Sequence, residues 1–237
     1  MPPDDSALDH SHPKAHYWLI QRIAYAIAGR GVKDRFLQDR AEGMMRDSGL
    51  LPYLRDGGIY ADVGSGFGHI VEKATMTTEG RTRWLAIDPA IRPSRKVRGR
   101  LNLSAPGRVS FVSALGEMLP LRGGSMDGVV LFFVLHHVPR PLQATVLGEA
   151  RRVLKPGGLV FVIEDTPEGA EEQDRVVQWD RRVNWESRRA EHNYRSVLEW
   201  EALVGELGFG LVERVAFRDI SPKRVEGVIP HSTFVLR

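Results

Sequence analysis

Between residues 58 and 163, short apolar runs alternate with longer amphipathic stretches, and that alternation leaves the chain few architectures. The runs lie at 58–63, 83–87, 109–112, 128–134 and 159–163. Each is rich in Val, Ile, Leu or aromatic residues and is too short for a helix, so each reads as a buried strand. The stretches between them, at about 68–77, 90–100 and 141–154, read as helices. In the last, Leu142, Val146, Leu147, Ala150, Val153 and Leu154 form one stripe, Pro141 opens it and Lys155-Pro156-Gly157-Gly158 closes it. Strands alternating with helices imply right-handed crossovers and a parallel sheet covered on both faces, an α/β fold. The tail departs from this rhythm. A polar helix at about 171–190 precedes one carrying Val197, Trp200, Val204 and Leu207 on one face and ending at Gly208, and two strands follow at 210–217 and about 228–236. Two consecutive terminal strands fit most simply as an antiparallel addition to the sheet.

Ahead of the alternating region come a polar leader (1–13), an amphipathic helix at 14–29 with Ala15, Trp18, Leu19, Ile23, Ala26 and Ile27 at helical spacing, and a second helix at about 38–54 that stops near Asp56-Gly57-Gly58. The expected division is a helical leader or lid at 1–55 and a core at 56–237 with a helical insertion at about 166–195. A chain of 237 residues suits one domain with a proper core.

Composition excludes several chemistries. There is no cysteine, hence no disulfide, thiol nucleophile or cysteine-ligated metal. No basic and apolar signal pattern follows Met1-Pro2-Pro3-Asp4-Asp5, and the longest apolar run, 128–135, is far short of the ~20 residues a membrane span needs. A soluble, cytoplasmic protein with no membrane partner is expected. The net charge is only +3, but the segment 92–100 holds five cations in nine residues. These face either nucleic acid or an acidic substrate, or they are a solvated helix, the reading favoured here.

The chemically informative segment is Tyr60-Ala61-Asp62-Val63-Gly64-Ser65-Gly66-Phe67-Gly68-His69, which leaves a strand and enters a helix. Glycines at the carboxyl end of a strand let backbone approach a ligand, and a helix N-terminus favours an anion. The spacing is Gly-x-Gly-x-Gly; His69 stands where a dinucleotide fingerprint needs its third glycine, and no phosphate loop occurs. Asp88 ends the second strand before Pro89, 26 residues after Asp62. A carboxylate there either accepts from a ribose diol or caps a helix. Loop and acid at matching strand ends together favour a nucleoside site.

These residues resemble the class I S-adenosylmethionine-dependent methyltransferases. Asp62-Val63-Gly64-Ser65-Gly66-Phe67-Gly68 is similar to their motif I and Ala86-Ile87-Asp88 to the acidic motif that follows it. Glu117-Met118-Leu119-Pro120-Leu121, Met126-Asp127-Gly128-Val129-Val130, Val134-Leu135-His136-His137-Val138 and Arg151-Arg152-Val153-Leu154-Lys155-Pro156-Gly157-Gly158 match in register. The resemblance covers about 55–165. It implies a Rossmann-like, doubly wound seven-stranded sheet, mostly parallel with an antiparallel C-terminal strand, S-adenosyl-L-methionine as cofactor, and methyl transfer to oxygen, nitrogen or carbon of a small molecule. It further implies a cofactor site in which Asp62 and Pro89 take part, Gly64, Ser65 and Gly66 line the methionine portion and Asp88 holds the ribose. In the same site Ala114, Leu115 and Gly116 flank adenine, and Leu131 and Phe132 lie beside the sulfonium. Many relatives carry Asp where this chain has Leu115, so the adenine contact falls to backbone or to Glu117.

Methyl transfer from a sulfonium needs alignment and desolvation before it needs a base. His136 is the candidate base; alternatively His136 and His137 only cap the strand end. Glu164 and Asp165 either orient an acceptor or, the favoured reading, cap locally before Thr166-Pro167. His10, His12 and His16 lack supporting groups, so no metal site is expected. Tyr17, Trp18, Trp179, Trp185 and Tyr194 either enclose the acceptor or pack the flanking segments down. Arg181, Arg182, Arg188 and Arg189 either grip an anion or pair with Asp180, Glu186 and Glu191. Two rival functions remain. One is an RNA methyltransferase, although the fourth strand ends in Leu131-Phe132-Phe133-Val134 and lacks the Asn/Asp-Pro-Pro-aromatic motif of base-amine methylation. The other is a non-catalytic cofactor-binding module. No motif fixes an oligomeric state.

Overall fold

The computed structural model describes residues 32–91, 93, 95–183, 192–219 and 229–237. In chain order its elements are α1 (Val32–Asp47), β1 (Ile59–Val63), α2 (His69–Thr77), β2 (Arg83–Ile87), α3 (Arg95–Ser104), β3 (Val109–Val112) and β4 (Met126–Phe132). There follow α4 (Arg140–Val153), β5 (Leu154–Asp165), α5 (Ala170–Val183), α6 (Val197–Glu206), β6 (Leu211–Asp219) and β7 (Ile229–Leu236), with 3-10 turns at Leu51–Tyr53 and Leu135–His137. The expected leader and helix at 1–29 lie outside the described residues, as does the end of the polar helix at 184–190.

All seven strands form one sheet in the order β3-β2-β1-β4-β5-β7-β6. β1 to β5 pair in parallel, and β7 pairs antiparallel with both β5 and β6, so β7 alone runs against the rest. The α/β, mostly parallel sheet expected from the sequence is therefore present. The last two strands enter out of order because of their side chains. β7 is buried along nearly its whole length and takes the interior position. β6 carries Glu213, Arg214 and Arg218 with Leu211 and Val212 half exposed, a charged strand suited to an edge.

Side chains alternating along β4 build the core on both faces. Val129 and Leu131 join Val63, Val146, Leu147 and Trp200 on the α4 and α6 side. Val130 and Phe132 join Tyr60, Trp84, Val71 and Phe161 on the α1 and α2 side. Met44, Met45 and Leu50 belong to this second cluster, so the end of the 1–55 region packs into the sheet's own core.

Element ends differ from the expectation for local reasons. The helix expected at 38–54 stops at Asp47, because Gly49 takes φ +71 beneath Val215. The helix expected at 90–100 forms at Arg95–Ser104, since Asp88 Oδ1 holds the Ala90 N–H in a turn at 2.8 Å and Pro93 disfavours helix before it. β4 stops at Phe132 because Phe133 has φ +54. β5 starts early, as Leu154 pairs with Met126 across an irregularity that ends at Gly128 and Leu159.

Candidate active site

The strand order reverses between β1 and β4, and an open α/β sheet binds ligands in the crevice at that point, beyond the carboxyl ends of its strands. The glycine loop sits there. Gly64, Gly66 and Gly68 have φ of 79°, 50° and 83°. A Cβ on Gly64 would lie 2.2 Å from Val134 Cγ2, so only glycine fits. The N–H groups of Gly64 and Ser65 donate to the Ile87 carbonyl at 2.7 and 3.1 Å, folding the loop back over the end of β2. The Gly66 N–H donates to Asp88 Oδ2 at 3.0 Å. Asp88 thus ties loop to strand and caps a turn, and α3 begins seven residues later at Arg95. Burial pushes its carboxyl up from the ordinary value while the Ala90 and Gly66 N–H groups pull it back.

Asp62 is 1% exposed and neither of its oxygens has a hydrogen-bond partner. Burial, and then the charge of Asp88, push its pKa up to about 8. The Ser65 hydroxyl, within the loop, is also buried and unpartnered. Buried polar groups are nearly always paired, so two orphans flanking a left-handed glycine loop fit a ligand that brings its own donors, an ammonium among them. The other expected cofactor residues surround the same strand ends. The Pro89 carbonyl accepts from Ser113 Oγ at 3.1 Å, Leu115 is half exposed and Gly116 covers Val63. Leu131 and Phe132 end β4 inside the core, leaving Phe133 and Val134 at the rim.

A second polar group lies beyond β4 and β5. Glu164 accepts from Val134 N at 2.8 Å, from Leu135 N at 2.6 Å and meets His136 Nδ1 at 2.6 Å. It therefore holds the turn after β4 and does not cap the Thr166-Pro167 step, whose Thr166 N–H goes to the Pro230 carbonyl. Beside it, Asp165 pairs with His231 Nδ1 at 2.7 Å. His136 Nε2 stands 3.8 Å from Asp180 Oδ1, His137 Nε2 3.9 Å from the same oxygen, and His192 Nδ1 3.6 Å from Asp180 Oδ2. The Tyr194 ring stacks on both His136 and His192, with centroids 4.8 and 5.6 Å away. Burial opposes charge on His136, but the Glu164 carboxylate, then Asp180 and Asp165, outweigh it and push its pKa up to about 10. Burial and the neighbouring His136 push His137 down to about 3.

Asp180 was read only as an ion-pair partner and His192 and His231 went unremarked, because no local pattern links positions 180, 192 and 231 to His136. Trp179 and Tyr194 pack with Val176 and Ile229, holding α5 against the start of β7. Arg100 is spent on the buried Glu72, and Arg98 lies over the Phe111 ring at 5.3 Å. Arg92, Arg188, Arg189, Tyr17, Trp18, Trp185, Glu186, Glu191, His10, His12, His16 and the Arg182 side chain lie outside the description.

The fold is a Rossmann-like α/β sheet with the glycine loop and Asp88 at its switch point. Residues 61–162 match the model of a methyltransferase domain. The chain is 35% identical over 103 residues to a ubiquinone/menaquinone biosynthesis C-methyltransferase of Methylobacterium nodulans, covering 44% of this chain and 40% of that one. It is 51% identical over 59 residues to a human thiol S-methyltransferase, 24% of this chain and 23% of that protein. These matches span less than half the length of the curated relatives. Its fold resembles that of 1,6-didemethyltoxoflavin-N1-methyltransferase from Burkholderia thailandensis, with TM-score 0.67, 19% identity and coverage of 99% and 93% of the two chains.

Proposed function

We propose that this protein transfers a methyl group from S-adenosylmethionine to a small-molecule acceptor, acting in the cytoplasm. The observation that carries this reading is the orphaned Asp62 carboxyl group beside a loop of left-handed glycines tied to Asp88. When bound, the cofactor supplies a sulfonium-activated methyl group and a neutral leaving group. The chain's own residues then bind and align. Asp62 takes the ammonium of the methionine portion, and Gly64, Ser65 and Gly66 pass close beside it. Each oxygen of Asp88 receives one backbone N–H and keeps a second lone pair, enough for a ribose diol. Pro89, Ala114, Leu115 and Gly116 flank the adenine, Leu115 offering an apolar face where a carboxylate is absent. Leu131 and Phe132 fix the end of β4, so that Phe133 and Val134 wall the transfer path and keep water from it.

The acceptor compartment is the histidine-rich group beyond β4. His136, tied to Glu164 through Nδ1, presents its Nε2 edge there to an acceptor. A small acceptor is favoured over RNA because Arg98 and Arg100 are engaged within the protein and the Tyr194 ring covers His136 and His192. Among the described residues, no helix is long and apolar enough to cross a membrane.

Calorimetric titration with S-adenosylmethionine and S-adenosylhomocysteine tests the cofactor step. Micromolar binding is expected, weakened in Asp88→Asn by about 10-fold or more, as loss of charge-assisted hydrogen bonds worth about 1.5–3 kcal/mol implies. Isotopic methyl transfer into a metabolite extract then identifies the acceptor. Failure of the wild type to bind either compound refutes the reading.

A further inference from the structure

We propose that His136, His137 and Asp180 form a binding site for a divalent first-row metal ion of the Zn2+ or Fe2+ type. Each of the three residues offers one ligand atom, and these atoms all lie within 4.8 Å of one another; Nε2 of His136 and Nε2 of His137 both face Asp180 Oδ1. The two contacts to Asp180 Oδ1, 3.8 and 3.9 Å, are too long for hydrogen bonds. Ligands bound at about 2.0–2.2 Å to one tetrahedral ion stand about 3.3–3.5 Å apart, so pairs up to 4.8 Å apart close on an ion by about 1.5 Å at most.

Three further observations point the same way. First, Glu164 receives His136 Nδ1 at 2.6 Å, which fixes the ring and directs Nε2 at Asp180; a carboxylate behind a histidine is how proteins orient imidazole toward a metal. Second, His136 Nε2 and both ring nitrogens of His192 are buried with no hydrogen-bond partner, a concentration of unsatisfied imidazole that hydrogen bonding within the protein does not explain. Third, Glu164 and Asp180 place two buried carboxylates around one histidine, an acidic setting in which an ion bound at Nε2 displaces the proton of that ring. His192 Nδ1 stands 3.6 Å from the other oxygen of Asp180, and His137, 22% exposed, leaves a way in from solvent.

Two imidazoles and one carboxylate suit Zn2+ or Fe2+ better than Mg2+ or Ca2+, which prefer all-oxygen sites. Such a set leaves coordination positions for water or for an oxygen atom of a ligand. The ion-binding site does not depend on the methyl-transfer reading.

The test is Co2+ titration of the full-length, chelator-treated protein, followed by visible absorption and calorimetry, with Zn2+ as competitor. The wild type is expected to bind a single equivalent in the micromolar range or tighter and to develop the intense visible bands of low-coordinate Co2+. Asp180→Asn and His137→Ala, checked for native circular dichroism, are expected to lose more than about 100-fold in affinity, and Glu164→Gln about 10–100-fold, the usual loss when a ligand's hydrogen-bond partner is removed. His137→Ala keeps the test informative if Asp180→Asn does not fold, because His137 is the most exposed of the three. The proposal is overturned if the wild type binds neither ion in the micromolar range, or if stoichiometric binding survives in His137→Ala. Binding of S-adenosylmethionine, measured on the same metal-free samples, reads the methyl-transfer proposal separately.

Discussion

Asp62 is a carboxyl held in its neutral form by burial and by Asp88, and it makes the stability of the cofactor-free protein depend on pH. In the unfolded chain it ionises near its ordinary 3.8; in the folded protein it keeps its proton to about 8. Between those values the folded state holds the extra proton, so this group makes the protein less stable as pH rises through the window, with no further loss above about 8. Asp62→Asn, neutral throughout, removes that dependence. The melting temperature of the variant minus that of the wild type is expected to rise steadily from pH 5 to pH 8; a flat difference contradicts the assignment. At Gly64 the constraint is steric. Gly64→Ala combines φ +79 with a Cβ 2.2 Å from Val134, and a loss of about 2–5 kcal/mol is expected in denaturant unfolding, the sum of backbone strain and overpacking.

At the scale of elements, α6 shows how much a helix end rests on two side chains. Ser196 accepts from the Glu199 N–H at 3.3 Å and Glu199 returns a bond from the Ser196 N–H at 2.9 Å, a complete capping box. Ser196→Ala is expected to cost about 1 kcal/mol in denaturant unfolding, without change in the slope of the transition. The helix carries Trp200 and Val204 into the core, so the cap also fixes part of one sheet face. The same residues were legible beforehand from apolar spacing and from Gly208. By contrast, the turn after β4 was not: its geometry depends on Glu164, thirty residues on in β5, taking the N–H groups of Val134 and Leu135.

Over the whole molecule, one ion pair joins the two helices flanking β2. Glu72 on α2 is fully buried and receives Arg100 Nη2 from α3 at 2.9 Å. Arg100→Ala leaves a buried carboxylate without its main cation, and a loss of roughly 3 kcal/mol is expected, the low end of the range for buried pairs because Arg100 is 29% exposed. Adding Glu72→Gln to that variant is expected to restore most of the loss; if the double variant is as unstable as the single one, the cost is lost packing and the pair is not its origin. The pair also explains why a stretch of cations that looked available for an acidic partner is partly internal: Arg100 faces the helix beside it.

Local patterning alone determined the parallel α/β core, the placement of β2 and β3 to the residue, and the glycine loop with Asp62 and Asp88 at adjacent strand ends. Those features follow from neighbours in sequence, through the two-residue period of a buried strand, the stripe of an amphipathic helix, and glycine where backbone must take positive φ. Tertiary structure decided what depends on distant partners. β7 enters between β5 and β6 because its residues are buried on both faces while β6 carries charge. Glu164 turns from a local cap into the anchor of the β4 turn because β5 lies beside it. His136, His137, Asp180 and His192 meet only after α5 and the segment before α6 fold over the carboxyl edge of the sheet, since no spacing in the chain relates residues brought together by separate elements.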